Sequence, residues 1–101
     1  MGINVHLQDE RGTDLRIVAD PDMLLPALLR RPEVGGSTCL RFVLPYADTT
    51  FNHAQVSVLL GELAGLRPNL NGRTRAFVDS IVGLAEEAEH GTHLYLKFIG
   101  D

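Results

Sequence analysis

The sequence predicts an α+β fold of order ββαβααβ: a four-stranded, mainly antiparallel sheet with its helices on one face. Three observations predict it. Apolar and polar residues alternate over Ile3–Gln8, Asp14–Ala19 and His93–Ile99, the period-two pattern of half-buried strands. Apolar residues recur at helical spacing over Val56–Leu63 and Phe77–Ala88. Strands and helices are not in strict alternation, which disfavours a doubly wound parallel sheet. The 101 residues suffice for a single domain, 1–101, with one core.

The first strand places Ile3, Val5 and Leu7 on one face and Asn4, His6 and Gln8 on the other. Asp9-Glu10-Arg11-Gly12 is a turn signal, with Gly12 free to take positive φ. Asp14–Ala19 then pairs back as a hairpin, with Leu15, Ile17 and Ala19 expected inward. Asp20-Pro21 starts a helix, Asp20 capping and Pro21 in the first helical position. Pro26 removes a donor and crowds the preceding turn, so a kink or a late start is expected there. Pro32 and Gly35-Gly36 close that element.

Thr38–Leu44 alternates again and is expected to be the third strand, with Leu40, Phe42 and Leu44 inward and Cys39, Arg41 and Val43 outward. The next helix has a legible start. Asn52 is a good N-cap, Gln55 completes a capping box, and Phe51 and Val56 have the spacing of a hydrophobic staple. Val56, Leu59, Leu60 and Leu63 form its stripe, Gly65 is expected to cap its end, and Pro68 prevents continuation. A second long helix starts between Asn69 and Thr74, carries Phe77, Ile81, Leu84 and Ala88 on one stripe with Val78, Val82 and Ala85 beside it, and ends at Gly91. The last strand, His93–Ile99, turns Leu94, Leu96 and Phe98 inward.

Composition excludes several functions. A net charge of −4 argues against nucleic-acid backbones as the main partner. No apolar run approaches the roughly 20 residues that span a bilayer, and no secretory leader is legible. Met1-Gly2 begins like a myristoylation signal, but His6 stands where Ser or Thr is needed. A cytoplasmic location is expected. The single Cys39 excludes an internal disulfide, and as a mid-strand residue it is better explained as an apolar filler than as a nucleophile. His90 and His93 have H-x-x-H spacing, but Gly91 interrupts it and no further ligand completes a metal set. No metal or cofactor is expected.

Two groups of residues remain as candidate sites. The segment Leu44–Gln55, LPYADTTFNHAQ, packs Tyr46, Asp48, Thr49, Thr50 and His53 together. Asp48 with His53 has the chemistry of an acid/base pair; loop carboxylates and hydroxyls also satisfy backbone amides with no further role. The second group is the sheet face away from the helices, where His6, Arg16, Arg41, His93, Tyr95 and Lys97 are expected to form a partly basic interface. The alternative is a polar face left in water, as antiparallel sheets commonly have. Glu86, Glu87 and Glu89 crowd the end of the second long helix, as a solvated acidic surface or a patch for a basic partner.

The start MGINV, the centre LPYADTTFNHAQ and the end HLYLKFIGD together resemble a family of small uncharacterised bacterial proteins of about this length. The resemblance implies a bacterial, stand-alone domain; it implies no activity and no catalytic residue. With small size, acidic balance and charge-segregated surfaces, the first expectation is a protein-binding module, such as an immunity-type inhibitor or an accessory subunit, acting through a protein partner or by self-association as a homodimer. The alternative is a small-molecule binder or modest enzyme using the Tyr46–His53 loop. That alternative requires Tyr46, Asp48 and His53 to converge on one pocket.

Overall fold

The computed structural model describes residues 2–100; Met1, where the myristoylation reading begins, and Asp101 lie outside the described residues. The architecture is the predicted α+β one. Strands β1 (Asn4–Gln8), β2 (Asp14–Val18), β3 (Thr49–Phe51) and β4 (Tyr95–Ile99) form one sheet of order β2-β1-β4-β3. Every neighbouring pair is antiparallel. Two main helices, α3 (His53–Leu66) and α4 (Gly72–His90), pack against it, and two short ones, α1 (Leu24–Leu29) and α2 (Pro32–Gly35), precede β3.

The central pair β1/β4 follows the sequence alternation. Ile3, Val5, Leu7, Leu96 and Phe98 are fully or almost fully buried beneath Val56, Leu59 and Leu63 of α3 and Val78, Ile81 and Ala85 of α4. Each such aliphatic side chain contributes roughly 1.5–3 kcal/mol on burial. Phe51 meets Phe98 edge to face at 5.7 Å, which joins the short β3 to the core. Helix α3 starts as expected: Asn52 and Gln55 make the reciprocal capping box, and Phe51 and Val56 are both buried beside it. Asn71 and Gly91 bound α4.

The hairpin turn also holds. Asp9 Oδ1 accepts from the amides of Arg11 and Thr13, and Gly12 has φ 79°. The faces of β2, however, are the reverse of expectation. A register shift lies between Leu7 and Gln8, so that Gln8 pairs with Asp14 while Leu7 pairs with Arg16. One displaced residue inverts every side chain of a strand. Arg16 therefore lies on the helix side, where its Nε meets Glu87 of α4 at 3.1 Å, and Ile17 shares the open face with His6.

Asp20 does more than cap. It is 2% exposed, and its carboxylate accepts from Leu24 N (2.7 Å), Leu25 N (3.0 Å) and Ile3 N (3.3 Å). It thus ties the start of β1 to the start of α1. Pro21 lies in the turn before the helix rather than in its first position, because the chain makes an extra turn closed by Met23 N to Asp20 O. That turn leaves Met23 with φ 54° in the left-handed region, which side chains disfavour. Of the two alternatives expected at Pro26, the structure has the later start: α1 begins at Leu24, and Pro26 is its third residue, where no amide partner is needed. Pro32 opens α2 rather than closing the preceding helix, in agreement with the preference of Pro for a first helical turn. Gly65 lies inside α3, which runs on to Leu66 before a 3-10 turn at Arg67–Asn69.

The expected third strand is absent. Thr38–Leu44 instead holds a 3-10 turn at Leu40–Phe42, and the sheet's third strand comes later, inside the polar segment. The physical reason is Glu62 of α3. Its carboxylate accepts from the amides of Thr38, Cys39 (3.1 Å) and Leu40 (3.0 Å), so these donors face a side chain and not a sheet ladder. The buried residues of this segment are Cys39, Leu40 and Val43, which follow no period of two, and two of those expected inward, Phe42 and Leu44, are exposed.

Candidate functional site

The Tyr46–His53 residues do not converge. Thr49 Oγ1 donates to the Phe42 carbonyl at 3.1 Å and fastens β3 to the 3-10 turn. Thr50 lies on the open sheet face, in register with Lys97. Asp48 Oδ2 is 3.7 Å from Lys97 Nζ. His53 Nε2 donates to the Glu89 carbonyl at 2.6 Å, and Ser57 Oγ donates to the Glu89 carboxylate at 2.8 Å; together they hold the start of α3 to the end of α4. Tyr46 points away, 86% exposed. The Glu87 carboxylate is paired with Arg16 and the Glu89 carboxylate accepts from Ser57, which leaves less of an acidic patch than the sequence implies.

Of the six residues expected on the open sheet face, three are there: His6, Tyr95 and Lys97. Gln8 and Tyr95 pair across β1 and β4, as do His6 and Lys97. Arg16 is on the other side, Arg41 is in the 3-10 turn, and His93 is in the connection before β4 with φ 56°. Cys39 and Val43, assigned to the same face by alternation, are core residues. The face is not basic in effect. His6 Nδ1 donates to Asp14 Oδ1 at 2.8 Å, Gln8 Nε2 donates to the same oxygen at 2.7 Å, and Lys97 has Asp48.

These bonds hold the Asp14 carboxyl below its ordinary value of 3.8, the Gln8 bond first and the His6 bond next. A depressed folded value means that the contribution is present above pH 3.8 and is lost as the pH falls through the folded value. Asp14→Asn is therefore expected to lower the thermal midpoint at neutral pH and to leave a flatter acid limb. A thermal-melt series against pH checks this; an unchanged slope between the two proteins would contradict it.

A different surface stands out. Phe42, Leu44 and Tyr46 are 57%, 52% and 86% exposed, on one short segment held from below. Leu40 and Val43 anchor it in the core, Glu62 holds its first amides, and Gly100 N donates to the Ala47 carbonyl at 3.2 Å. A Cβ on Gly100 would lie 2.6 Å from Ala47 N and O, so only glycine permits this close crossing. Arg41 stacks over the Phe42 ring at 4.8 Å. Beside Tyr46, the segment and α1 enclose a concavity of about 350 Å³ with Pro26, Ala27 and Pro45 as its apolar lining. Met23 and Tyr46 stand on its walls, and Asp22 and Arg30 complete its lining. Sequence reasoning missed Met23, Arg30, Phe42, Leu44 and Glu62. The one available signal was Glu62, a carboxylate flanking the apolar stripe of α3.

A second concavity, of about 300 Å³, is bounded by His53, His93 and Tyr95. Among the described residues, no group of three His, Cys, Asp or Glu is placed to hold a metal ion, and no helix is long and apolar enough to cross a membrane. The fold and this surface define a class: a two-layer α+β domain that presents a pinned apolar segment. No family model, curated protein or solved structure matches the chain.

Proposed function

We propose that the chain is a small protein-binding module, an inhibitor or accessory subunit of the bacterial cytoplasm, that contacts its partner through the Phe42–Tyr46 segment. One observation carries this reading: three large, mainly apolar side chains are exposed at alternate positions of one short segment that Leu40, Val43 and Glu62 hold from below. Ordinary surfaces expose such residues singly, and contiguous exposure marks interaction sites. Tyr and an Arg-stacked Phe give large contact area at small cost in side-chain freedom, the make-up of interface hot spots. The support from Leu40, Val43 and Glu62 holds the segment in place before binding, which lowers the ordering cost of association.

The test is site-specific photo-crosslinking in the producing cell. A crosslinking residue at position 46 is expected to give a discrete adduct with a second protein, and the same residue at Ser80, on the outer surface of α4, is expected to give none. An adduct of twice the chain's mass would identify the partner as a second copy. Equal labelling from both positions, or none from position 46, would overturn the proposal.

A further inference from the structure

We infer that the concavity between α1 and the Pro45–Tyr46 turn receives an acidic–apolar segment of the partner protein: one large apolar side chain against Pro26, Met23 and Tyr46, and a carboxylate at Arg30. This rests on the protein-binding reading and names the partner's chemistry.

Charge sets the sign of the ligand. Asp22 is matched by Arg73, whose Nη1 lies 3.5 Å away. Arg30 has no carboxylate within ion-pair distance among the described residues. The unmatched charge at this rim is therefore positive, on a chain of net charge −4. A guanidinium is well suited to bidentate pairing with a carboxylate. The volume of about 350 Å³ is near the lower end for ligand cavities and is ample for one large anchoring side chain.

Met23 supplies an independent argument. Its φ of 54° is a conformation that costs a methionine free energy, yet its side chain is 53% exposed, so burial does not offset that cost. A glycine here would relieve the backbone. What the methionine adds is a flexible, polarisable wall to a concavity, a feature of surfaces that adapt to partner side chains. An anionic bilayer is the competing occupant for an apolar segment with arginines. A net charge of −4 opposes it, and insertion into a membrane has no need of a concave pocket.

The experiment selects random 12-residue peptides against the whole chain and measures the selected peptides by fluorescence anisotropy. Selected peptides are expected to share an apolar anchor beside Asp or Glu. Arg30→Glu and Tyr46→Ala, both surface changes, are each expected to weaken binding about ten-fold or more. Arg30→Glu used as the selection target is expected to turn the preference from acidic to basic flanks. Met23→Gly is expected to raise the melting temperature while weakening binding, which separates loss of the site from loss of the fold. Peptides without an acidic preference, or bound equally by Arg30→Glu, would overturn the inference. So would association with phosphatidylserine vesicles that depends on Arg30 and Tyr46 while no peptide binds. If position 46 crosslinks a partner but the acidic preference is missing, this inference fails alone. If neither peptides nor crosslinks are found, the protein-binding reading fails with it.

Discussion

Replacing Asp20 by alanine is expected to lower the unfolding free energy by about 3 kcal/mol or more, the largest effect of any single polar substitution in this chain. The side chain is buried and accepts from three backbone amides, Ile3 immediately before β1 and Leu24 and Leu25 at the start of α1. A truncated side chain leaves those donors facing a space too closed for bulk water, and each unsatisfied buried donor costs roughly 1–3 kcal/mol. For a domain whose whole stability is about 5–15 kcal/mol, that is a large fraction. Asparagine should be intermediate. Its one remaining oxygen can serve Leu24, or Ile3 with Leu25, while its amide group faces the other donors. Urea unfolding checks the order wild type, Asn, Ala; a cost below about 1 kcal/mol for alanine would mean that the amides find water after all.

Gly2 belongs to the same junction. A Cβ there would lie 1.9 Å from the Asp20 carbonyl oxygen, so Gly2→Ala must move the backbone that Asp20 holds. The two changes share partners, and their combined effect should depart from the sum of the single effects.

The elements that sequence predicts well are those whose signal is local and whose surroundings are symmetric along their length. The capping box of Asn52 and Gln55 lies within four residues of chain. β1 and β4 are central and pair in one register throughout, so alternation along them correctly places His6, Tyr95 and Lys97 on the open face. The failures are nonlocal. β2 is an edge strand with a register shift, and a single displaced residue carried Arg16 to the helix side. β3 has three residues, too few for a period of two to register. The Leu40-Phe42-Leu44 alternation looks the same whether these residues face a core or water. What decides it is Glu62, more than twenty residues further on, which takes the amides a ladder needs.

The candidate site was legible in part for the same reason. Tyr46 was visible as a polar-tipped aromatic in a turn. Its neighbours Met23 and Arg30 come from α1, and no spacing rule joins them to it. The polar groups that looked chemical, Asp48, Thr49 and His53, each have a partner that explains them: Lys97, the Phe42 carbonyl and the Glu89 carbonyl.

Glu62→Ala is expected to release the Thr38–Tyr46 segment while leaving α3, α4 and the β1/β4 pair in place. The carboxylate is the one side chain that accepts from three successive amides of that segment, and its removal should cost about 2 kcal/mol, since carboxylate bonds to amides are stronger than neutral ones but this group is only partly buried. The loss should appear as local opening before global unfolding. Cys39 reports on it directly. The thiol is buried, donates to the Gln55 carbonyl at 3.6 Å, and is pushed above its ordinary value, first by burial and then by the Glu62 charge. Removing Glu62 lifts both restraints on the thiolate: the segment opens more often, and the nearby negative charge is gone. Alkylation of Cys39 under native conditions should therefore accelerate about ten-fold or more, the factor that corresponds to a fall of about 1.4 kcal/mol in the opening free energy. Glu62→Gln separates the two causes, because it removes the charge but keeps one acceptor oxygen; its labelling rate should fall between wild type and alanine. If Cys39 in the alanine variant labels no faster than in wild type, the core anchors Leu40 and Val43 hold the segment without Glu62. If it does label faster, position-46 crosslinking should weaken in step, since the apolar side chains of Phe42, Leu44 and Tyr46 are presented together only while their support is rigid.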